Sequence, residues 1–326
     1  MATIFHDADG DLGLLDGASV AVVGYGNQGR SWALNLRDSG CDIRVCVRAD
    51  ASREQAATDG FTPGSLEDAS DADVACVLVP DDVIPSLPIT RTADGLTVVA
   101  SGYTLAFDRF DPAGDVGMVA PRMLGPEVRS CYEEGIGFIT AVGVQRDVTG
   151  NAQARVLAVA KAIGGLRQGA IDLTPMQEAV LDLAVEQALS PALTLVNGTF
   201  VQVMLEQGIP LEAIITELVL SGEVERTMRL VRESGYAAQF SFHSPTSQYG
   251  QLTRRDEYDG TEVAATMRRL VEDITSGRFA DEWDGERDAG YPNLERLREQ
   301  HAGAAVGEFE TALRRQLGEG AIQPAG

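Results

Sequence analysis

The chain has 326 residues, which is long enough for two domains or one large one. It is 44% hydrophobic and 23% charged, which is ordinary for a globular protein and too apolar for a disordered one. The net charge is −23, from 49 acidic against 26 basic residues, and this field would repel nucleic acids and anionic membranes.

Strands and helices alternate through the first half of the chain. The hydrophobic pattern predicts strands at 19–24, 42–47, 73–79, 97–101, 116–120 and 136–144, and helices at 27–39, 53–59 and 151–163. Such alternation indicates βαβ units in an α/β Rossmann fold with a doubly wound parallel sheet.

The pattern becomes helical near residue 172. Helices are predicted at 172–204, 211–232, 261–275 and 293–316, with Pro191 as a possible kink in the first. We therefore expect a Rossmann dinucleotide-binding domain over residues 1–172 and an all-helical domain over residues 173–326.

Cysteine usage and the apolar runs bear on compartment. The four cysteines have no C-x-x-C spacing and there are three histidines, so neither a zinc site nor a disulfide framework is expected. Cys46 and Cys76 lie in or beside apolar runs and are predicted to be buried thiols. No apolar stretch approaches the roughly 20 residues that span a bilayer, and the acidic N-terminal sequence does not resemble a signal peptide. These features predict a cytoplasmic protein with no membrane partner.

A G-x-G-x-x-G motif lies directly between the first predicted strand and the helix that follows it. The first glycine allows a tight turn, the second lets the backbone approach a pyrophosphate, and the third packs helix on strand. The helix N-terminus adds free N–H groups and a positive dipole end. The motif therefore predicts a dinucleotide site that consists of Gly24, Tyr25, Gly26, Asn27, Gln28 and Gly29.

The loop after the second strand bears on the choice between NADH and NADPH. Arg48 could stack on adenine or meet a 2′-phosphate, and Ser52 and Arg53 could bind that phosphate. Asp50 could accept a hydrogen bond from the ribose 2′-hydroxyl and would repel the phosphate, although it could also simply cap the next helix. The acidic group favours NADH, with NADPH as the alternative.

Two carboxylates, Asp182 and Glu186, are four residues apart on a predicted helix and hence on one face. Because that face is otherwise apolar, the two acids would repel each other unless a cation joined them. Oxygen ligands of this kind suit Mg²⁺. The alternative is a solvated pair of surface acids.

The order of motifs along nearly the whole chain resembles the ketol-acid reductoisomerase (acetohydroxy acid isomeroreductase) family, in its shorter class I. The similarity lies in the N-terminal segment 5–40 and in LVPDD (78–82), VAPRMLGPEVRS (119–130), QRDVTGNA (145–152), DLAVEQ (182–187), SFHSPTSQYG (241–250) and YPNLERLR (291–298). This resemblance implies a Rossmann domain, a knotted helical domain, and homodimers or larger assemblies.

The resemblance also implies an activity. A Mg²⁺ pair binds a 2-acetohydroxy acid, an alkyl group migrates, and hydride from NADH or NADPH reduces the new ketone to give a 2,3-dihydroxy acid in branched-chain amino acid biosynthesis. A divergent member that acts on another substrate, or only as a 2-keto acid reductase, is the alternative. A non-catalytic nucleotide-binding protein is a third possibility.

Site residues follow from the matched positions. The resemblance assigns Asp182 and Glu186 to metal, Ser244 to the substrate carboxylate, and Pro80, Asp81, Ser101 and Gly102 to the cofactor. Two family glutamates four apart have no clean match, so Glu217 and Glu223 are candidate metal ligands and Glu223 is also a candidate acid or base. Ser101 stands where the family has histidine, Arg122 where it has lysine, and Leu124 where it has proline. Arginine keeps the positive charge of lysine but cannot donate a proton as lysine can.

Overall fold

The computed structural model describes residues 1–301 and 304–317. The chain divides into two compact units, Met1–Leu183 and Ala184–Gly326. An eight-stranded sheet flanked by helices forms the first unit, and the described residues of the second contain only helices and their connections. The predicted fold class, a Rossmann-type sheet followed by an all-α region, is confirmed.

The strands of the first unit are short and mostly buried. In chain order they are β1 (Ile4–Phe5), β2 (Ser19–Val23), β3 (Asp42–Cys46), β4 (Val74–Val77), β5 (Leu96–Val99), β6 (Asp115–Pro121), β7 (Thr140–Arg146) and β8 (Ala170–Asp172). Alternate residues of β2 pack into separate cores on the two faces of the sheet, with Val20 and Val22 on one face and Ala21 and Val23 on the other. This double burial explains the continuous apolar run.

The sheet order is β1-β8-β7-β6-β5-β4-β2-β3. Strands β3, β2, β4, β5 and β6 are mutually parallel, as predicted. The sheet is nevertheless mixed, because β7 runs antiparallel to β6 and β1 antiparallel to β8. The strand order reverses between β2 and β4, and the crevice at such a point is where α/β sheets bind ligands.

Helices cover both units. In the first unit they are α1 (Asn27–Asp38), α2 (Ala51–Thr58), α3 (Tyr103–Ala106), α4 (Gly125–Glu133), α5 (Ala152–Ala162) and α6 (Pro175–Ala184), whose last residue opens the second unit. In the second unit they are α7 (Ser190–Glu206), α8 (Leu211–Ile215), α9 (Glu223–Ser234), α10 (Tyr236–Ser241), α11 (Pro245–Arg254), α12 (Thr261–Thr275), α13 (Arg278–Asp288), α14 (Pro292–His301) and α15 (Ala304–Leu317). Within the predicted helix at 293–316, residues 302–303 lie outside the described part of the chain.

Two π-helical turns interrupt the predicted helices. The first, Val185–Leu189, lies just before Pro191, and the second spans Thr216–Leu220. Proline lacks the N–H of a regular ladder, which explains why the hydrogen-bond pattern changes next to Pro191 without a break.

One long apolar helical stretch, Pro175–Glu206, corrects an expectation from the sequence. The helix has 32 residues, and an 18-residue window within it has a mean hydropathy of 1.4, so by length and composition alone it could cross a membrane. The expectation that no apolar stretch approaches that length is therefore wrong, because an 18-residue window of this helix is apolar enough and carries at most two charged residues. A single helix of this kind is weak evidence for a membrane, since a soluble protein can supply one too.

The predicted core thiols are confirmed. Cys46 and Cys76 have no exposed surface and are free thiols. Burial raises the pKa of Cys76 to about 12. This thiol therefore stays protonated and serves as a small apolar side chain.

A buried carboxylate, Asp115, ties β6 to the turn before α5 and supplies a test of stability against pH. It accepts hydrogen bonds from the backbone N–H groups of Val148 and Thr149 (2.8 and 3.0 Å), from the Thr149 hydroxyl (2.7 Å) and from Arg155 (3.0 Å). Burial alone would raise the pKa of Asp115, but these hydrogen bonds outweigh it and lower the pKa below its ordinary value.

Asp115→Asn is expected to destabilise the first unit by about 2–4 kcal/mol at pH 7, because it leaves Arg155 without its buried partner. Since the folded pKa is lowered, this stabilisation is present above the unfolded pKa of about 3.9 and is lost as pH falls through the folded pKa. The difference between variant and wild type should therefore shrink below about pH 4. Urea unfolding at several pH values measures it, with the exposed Asp111→Asn as control, whose loss of the Arg146 pair should cost under about 1 kcal/mol. A cost for Asp115→Asn as small as the control's would contradict the assignment.

Candidate cofactor groove and carboxylate site

The glycine motif forms the turn from β2 into α1. Gly24 has a φ of 95°, and a Cβ there would lie 2.8 Å from the Leu78 carbonyl oxygen. A Cβ on Gly29 would lie 2.2 Å from the Gly24 carbonyl oxygen, so helix and strand touch through backbone. A Cβ on Gly26 would meet open space, on the side where a pyrophosphate can approach the N-terminus of α1. The three glycines therefore take the three roles that the motif predicts.

A groove runs along the carboxyl ends of the parallel strands, in two connected parts. A cavity of about 220 Å³ is lined at one end by Arg48, Asp50 and Ser52, and one of about 350 Å³ reaches Ala100 and Ser101 at the other. The candidate cofactor residues on its walls are Gly24, Tyr25, Gly26, Asn27, Gln28, Arg48, Asp50, Ser52, Pro80, Asp81 and Ser101. Gly29 and Gly102 do not line it and act through backbone packing.

Tyr25 forms part of the groove wall and is held from behind. Its hydroxyl donates to Asp59 Oδ2 (2.9 Å), and the same carboxylate pairs with Arg30 (2.7 Å). The hydrogen bond from Arg30, together with that from Tyr25, lowers the pKa of Asp59 to about 2 against the effect of burial. Asp59 therefore stays charged and fixes the phenol ring, which is 5% exposed.

At the Arg48 end of the groove, Asp50 has two roles. Its side chain caps α2 by accepting the Ser52 N–H (3.0 Å), and the residue also lines the cavity, with Arg48 Nε 3.6 Å from Oδ2. The Arg53 guanidinium donates to the carbonyl oxygens of Val47, Pro63 and Gly64. Arg53 is thus committed to backbone contacts rather than to a phosphate in the groove.

At the Ser101 end, a buried glutamate joins the groove to helix α6. Glu178 is 1% exposed, and its Oε2 accepts the Gly102 N–H at 2.6 Å. A Cβ on Gly102 would lie 2.2 Å from the Pro175 carbonyl oxygen, so the loop lies directly on the first turn of α6. The Ser101 hydroxyl accepts the Tyr103 N–H (3.2 Å). Glu178 therefore fixes the position of the Ser101–Gly102 loop.

Arg122 lies between two carboxylates of α6. It donates through Nη1 to Glu178 Oε1 (2.5 Å) and through Nη2 to Asp182 Oδ1. Burial lowers the pKa of Arg122, but the two carboxylates raise it above its ordinary value in sum, so the guanidinium stays charged. Burial raises the pKa of Glu178, while the Gly102 N–H and Arg122 favour its charged form. The order Ser101–Gly102 loop, Glu178, Arg122, Asp182 is a continuous chain of hydrogen bonds.

Two candidate metal ligands, Asp182 and Glu186, lie at the end of α6 and in the π-helical turn after it. Asp182 and Glu186 are oxygen donors on one continuous helical stretch, although Glu186 lies in the π-helical turn and not at a plain α-helical spacing. Mg²⁺ is commonly held by one or two carboxylates plus water and substrate oxygens. Among residues 1–301 and 304–317, however, no three His, Cys, Asp or Glu side chains gather as a metal cluster, and Asp182 also pairs with Arg122.

The remaining candidates belong to three different helical elements of the second unit. Glu217 lies in the π-helical turn, while Glu223 begins α9 after Gly222, whose φ of 72° ends the preceding helix. Ser244 caps α11 by accepting the Ser247 N–H (3.3 Å). Both glutamates and Ser244 are exposed.

Comparison with known proteins decides the family. Residues 14–169 match the family model described as acetohydroxy acid isomeroreductase, NADPH-binding domain, and residues 176–318 match ketol-acid reductoisomerase, C-terminal domain. The chain belongs to the ketol-acid reductoisomerase family. It is therefore an NAD(P)-dependent oxidoreductase of a family that serves branched-chain amino acid biosynthesis.

Individual ketol-acid reductoisomerases match over nearly the full length. The chain is 36% identical to the NADP(+) enzyme of Saccharopolyspora erythraea, with 96% of this chain and 97% of the relative covered. It is also 36% identical to the NAD(P)(+) enzyme of Metallosphaera sedula, with 98% and 95% covered. The solved structure of an NADH-preferring ketol-acid reductoisomerase from an uncultured archaeon superposes with a TM-score of 0.87 at 30% identity, with 96% and 99% covered.

Glu178 was not among the site residues predicted from the sequence of this ketol-acid reductoisomerase family member. Its partners Gly102 and Arg122 are 76 and 56 residues away, so no local spacing reveals the contact. A signal was available in the same helical pattern that singled out Asp182, because Glu178 precedes it by four residues on an apolar face.

Proposed function

We propose that this protein is a ketol-acid reductoisomerase that uses NADH and Mg²⁺ to convert a 2-acetohydroxy acid into a 2,3-dihydroxy acid. The observation that carries the proposal is the continuity of the first unit. A dinucleotide groove reaches Ser101, and hydrogen bonds lead from there through Glu178 and Arg122 to Asp182. A nucleotide-binding end and a carboxylate end thus share one rigid wall. We further propose that residues 1–172 form the nucleotide-binding domain and residues 173–326 the helical domain.

The groove sets the orientation of the cofactor in this proposal. Gly26 and Asn27 at the N-terminus of α1 would hold the pyrophosphate, with Asp50 on the adenosine side of the groove and Ser101 on the nicotinamide side. Asp50 accepts a hydrogen bond from a ribose 2′-hydroxyl and repels a 2′-phosphate. Because Arg53 is bound to backbone carbonyls, Arg48, which already pairs with Asp50, is the cation at this end of the groove that could offset that repulsion. NADH is therefore the proposed cofactor.

The chain's own residues supply positioning and charge. Asp182 and Glu186 would hold a Mg²⁺, which when bound polarises the substrate carbonyl and stabilises alkoxide charge. Arg122 orients Asp182 through its hydrogen bond, and it transfers no proton because its pKa is raised above an already high value. Ser101 offers a hydroxyl at the nicotinamide end of the groove. Glu217 and Glu223 are proposed as metal ligands, Glu223 also as an acid or base, and Ser244 as a contact of the substrate carboxylate; all three belong to the helical unit.

Turnover with two substrates tests this function. We expect NADH oxidation with Mg²⁺ and either 2-acetolactate or the corresponding 2-keto-3-hydroxy acid. Oxidation with the keto acid alone would overturn the isomerase half of the proposal and favour a 2-keto acid reductase. The absence of two glutamates four residues apart around Glu217 and Glu223 would agree with that alternative. Binding of NADH without turnover of either substrate would favour a nucleotide-binding protein.

A homodimer or larger assembly is also part of the proposal. Helix α7 exposes apolar side chains along its length, among them Leu193 (54% exposed), Leu195 (71%) and Val196 (62%). A patch of this kind in a soluble protein marks a surface that another protein covers. The net charge of −23 argues against an anionic membrane as that cover. We also propose a cytoplasmic location, which agrees with a protein and not a membrane covering this helix.

Replacement of Leu195 by glutamate tests the assembly. Wild-type protein is expected at twice the 34.7 kDa chain mass or a higher multiple in light scattering after gel filtration. Leu195→Glu should shift the mass towards one chain, because a buried unpaired carboxylate opposes association. The control Ile136→Glu puts the same charge on a side chain that is 52% exposed in the first unit and should leave the mass unchanged. A wild-type mass of 34.7 kDa would refute the assembly.

A further inference from the structure

The guanidinium of Arg122 occupies a position between two carboxylates that a cation must neutralise. Its two terminal nitrogens each bind one carboxylate, Glu178 through Nη1 and Asp182 through Nη2. Glu178 is almost fully buried, the Arg122 side chain is 30% exposed, and that of Asp182 is 41% exposed. The guanidinium is therefore anchored on its buried side and presents its charge to Asp182 on the open side.

This arrangement reduces what Asp182 can offer to metal ions. One carboxylate oxygen, Oδ1, already accepts a charge-assisted hydrogen bond from Arg122. A dication placed next to that oxygen would face the permanent positive charge of the guanidinium. Asp182 therefore has oxygen left for one divalent cation but is poorly suited to bridge two.

The two candidate glutamates of the second unit do not form a regularly spaced carboxylate pair of their own. Glu217 and Glu223 belong to different helical segments, separated by the end of the π-helical turn and by the left-handed Gly222. The Ser221 hydroxyl, which lies between them in sequence, donates to the Glu217 carbonyl oxygen and accepts the Glu223 N–H, both at 3.3 Å. The local backbone is thus capped as a helix break, and the two carboxylates do not share one helical face.

We propose that this enzyme takes one divalent cation per site and that the Arg122 guanidinium serves as the second, permanent cation at Asp182. The inference rests on the proposed function and differs from the metal pair that family resemblance implies. Glu178 is the residue that holds the guanidinium in this position from the buried side. The organic cation cannot be removed by a chelator, whereas the divalent one can.

Counting bound Mn²⁺ tests the inference without any turnover. Full-length protein is titrated with Mn²⁺, and free Mn²⁺ is read from its electron paramagnetic resonance signal. We expect one tight Mn²⁺ per chain, and a bound signal with no coupling between two manganese ions. Two tight ions per chain, a coupled signal, or no tight ion would each overturn the proposal. Asp182→Asn should lose the tight ion, which separates it from weak binding to the acidic surface.

A glutamine at position 122 tests the role of the guanidinium itself. Arg122→Gln leaves Glu178 and Asp182 facing each other without a cation, so a second Mn²⁺ should bind and raise the count from one to two. A count that stays at one would overturn the role given to Arg122. The control is Arg44→Gln, since Arg44 pairs with a single exposed acid, Asp71 (2.8 Å), away from this cluster. Its count should remain at one.

Failure of this inference can be told apart from failure of the proposed function. NADH binding and turnover of 2-acetolactate are measured on the same protein. Two Mn²⁺ ions with full turnover would overturn the single-cation inference and leave the reductoisomerase function standing. One Mn²⁺ ion without turnover of either substrate would support the cation count and remove the proposed function. Wild-type stoichiometry decides the count even if Arg122→Gln fails to fold.

Discussion

Asp182→Asn is expected to lower Mg²⁺-dependent turnover by about 10³-fold or more while leaving NADH affinity nearly unchanged. The amide removes the negative charge that holds a divalent cation, and Lewis-acid stabilisation of a developing alkoxide contributes several kcal/mol. Asp182 lies on α6, outside the walls of the cofactor groove, so the nucleotide contacts remain. The near-isosteric amide also keeps an oxygen that can accept from Arg122.

The measurement pairs steady-state turnover over a range of Mg²⁺ concentrations with NADH fluorescence titration. Asp172→Asn is a suitable control, because Asp172 is an exposed acid at the end of β8 in the same unit. Its turnover should equal that of wild type. Turnover by Asp182→Asn within a few-fold of the control would remove Asp182 from the metal site.

Replacement of Asp50 should move cofactor preference towards NADPH. Asp50→Ser removes a carboxylate from the wall of the groove and leaves a hydroxyl that still caps α2. We expect the ratio of kcat/KM for NADPH to that for NADH to rise about 10- to 100-fold, which corresponds to about 1.4–2.7 kcal/mol of relieved repulsion. The gain should fall as salt increases, because the repulsion is screened at this partly exposed site.

Two further variants isolate the charge from the cap. Asp50→Asn keeps a strong capping residue and removes only the charge, so it should shift the ratio in the same direction. Glu54→Gln removes one negative charge in the first turn of the same helix, at a residue that does not line the groove. If Glu54→Gln shifts the ratio as much as Asp50→Ser, general surface charge and not contact with the ribose sets the preference.

Local pattern was sufficient for the parallel part of the sheet. Strands β2, β4, β5 and β6 are buried on both faces, so each appears as a short, mostly apolar run, and the glycine motif is contiguous in sequence and in space. Strands β1 and β8 have two and three residues, too few for a periodic pattern, and were missed. The reversed direction of β7 depends on the connection through α4, which no residue pattern within β7 encodes.

The geometry of the carboxylate site could be predicted only in part from local residue spacing. Spacing of four residues placed Asp182 and Glu186 on one helix, but π-helical turns changed the geometry around Glu186 and Glu217. Hydrogen-bond patterns of this kind depend on a neighbouring proline or on a helix break, which a fixed period does not register. Arg122, directly after β6, forms its ion pairs with Glu178 and Asp182 of α6. These partners are 56 and 60 residues away in sequence, so only the folded chain reveals them.

The contact between Gly102 and the first turn of α6 has a consequence for motion. Backbone meets backbone there, and Glu178 adds a hydrogen bond within the same turn, so little play remains between the loop and the helix. If α6 moved, the Ser101–Gly102 loop would move with it. The distance between Ser101 and Asp182 would therefore change less than the position of either residue. This contact would keep the Ser101 end of the groove and Asp182 at a nearly constant distance while other parts of the chain move.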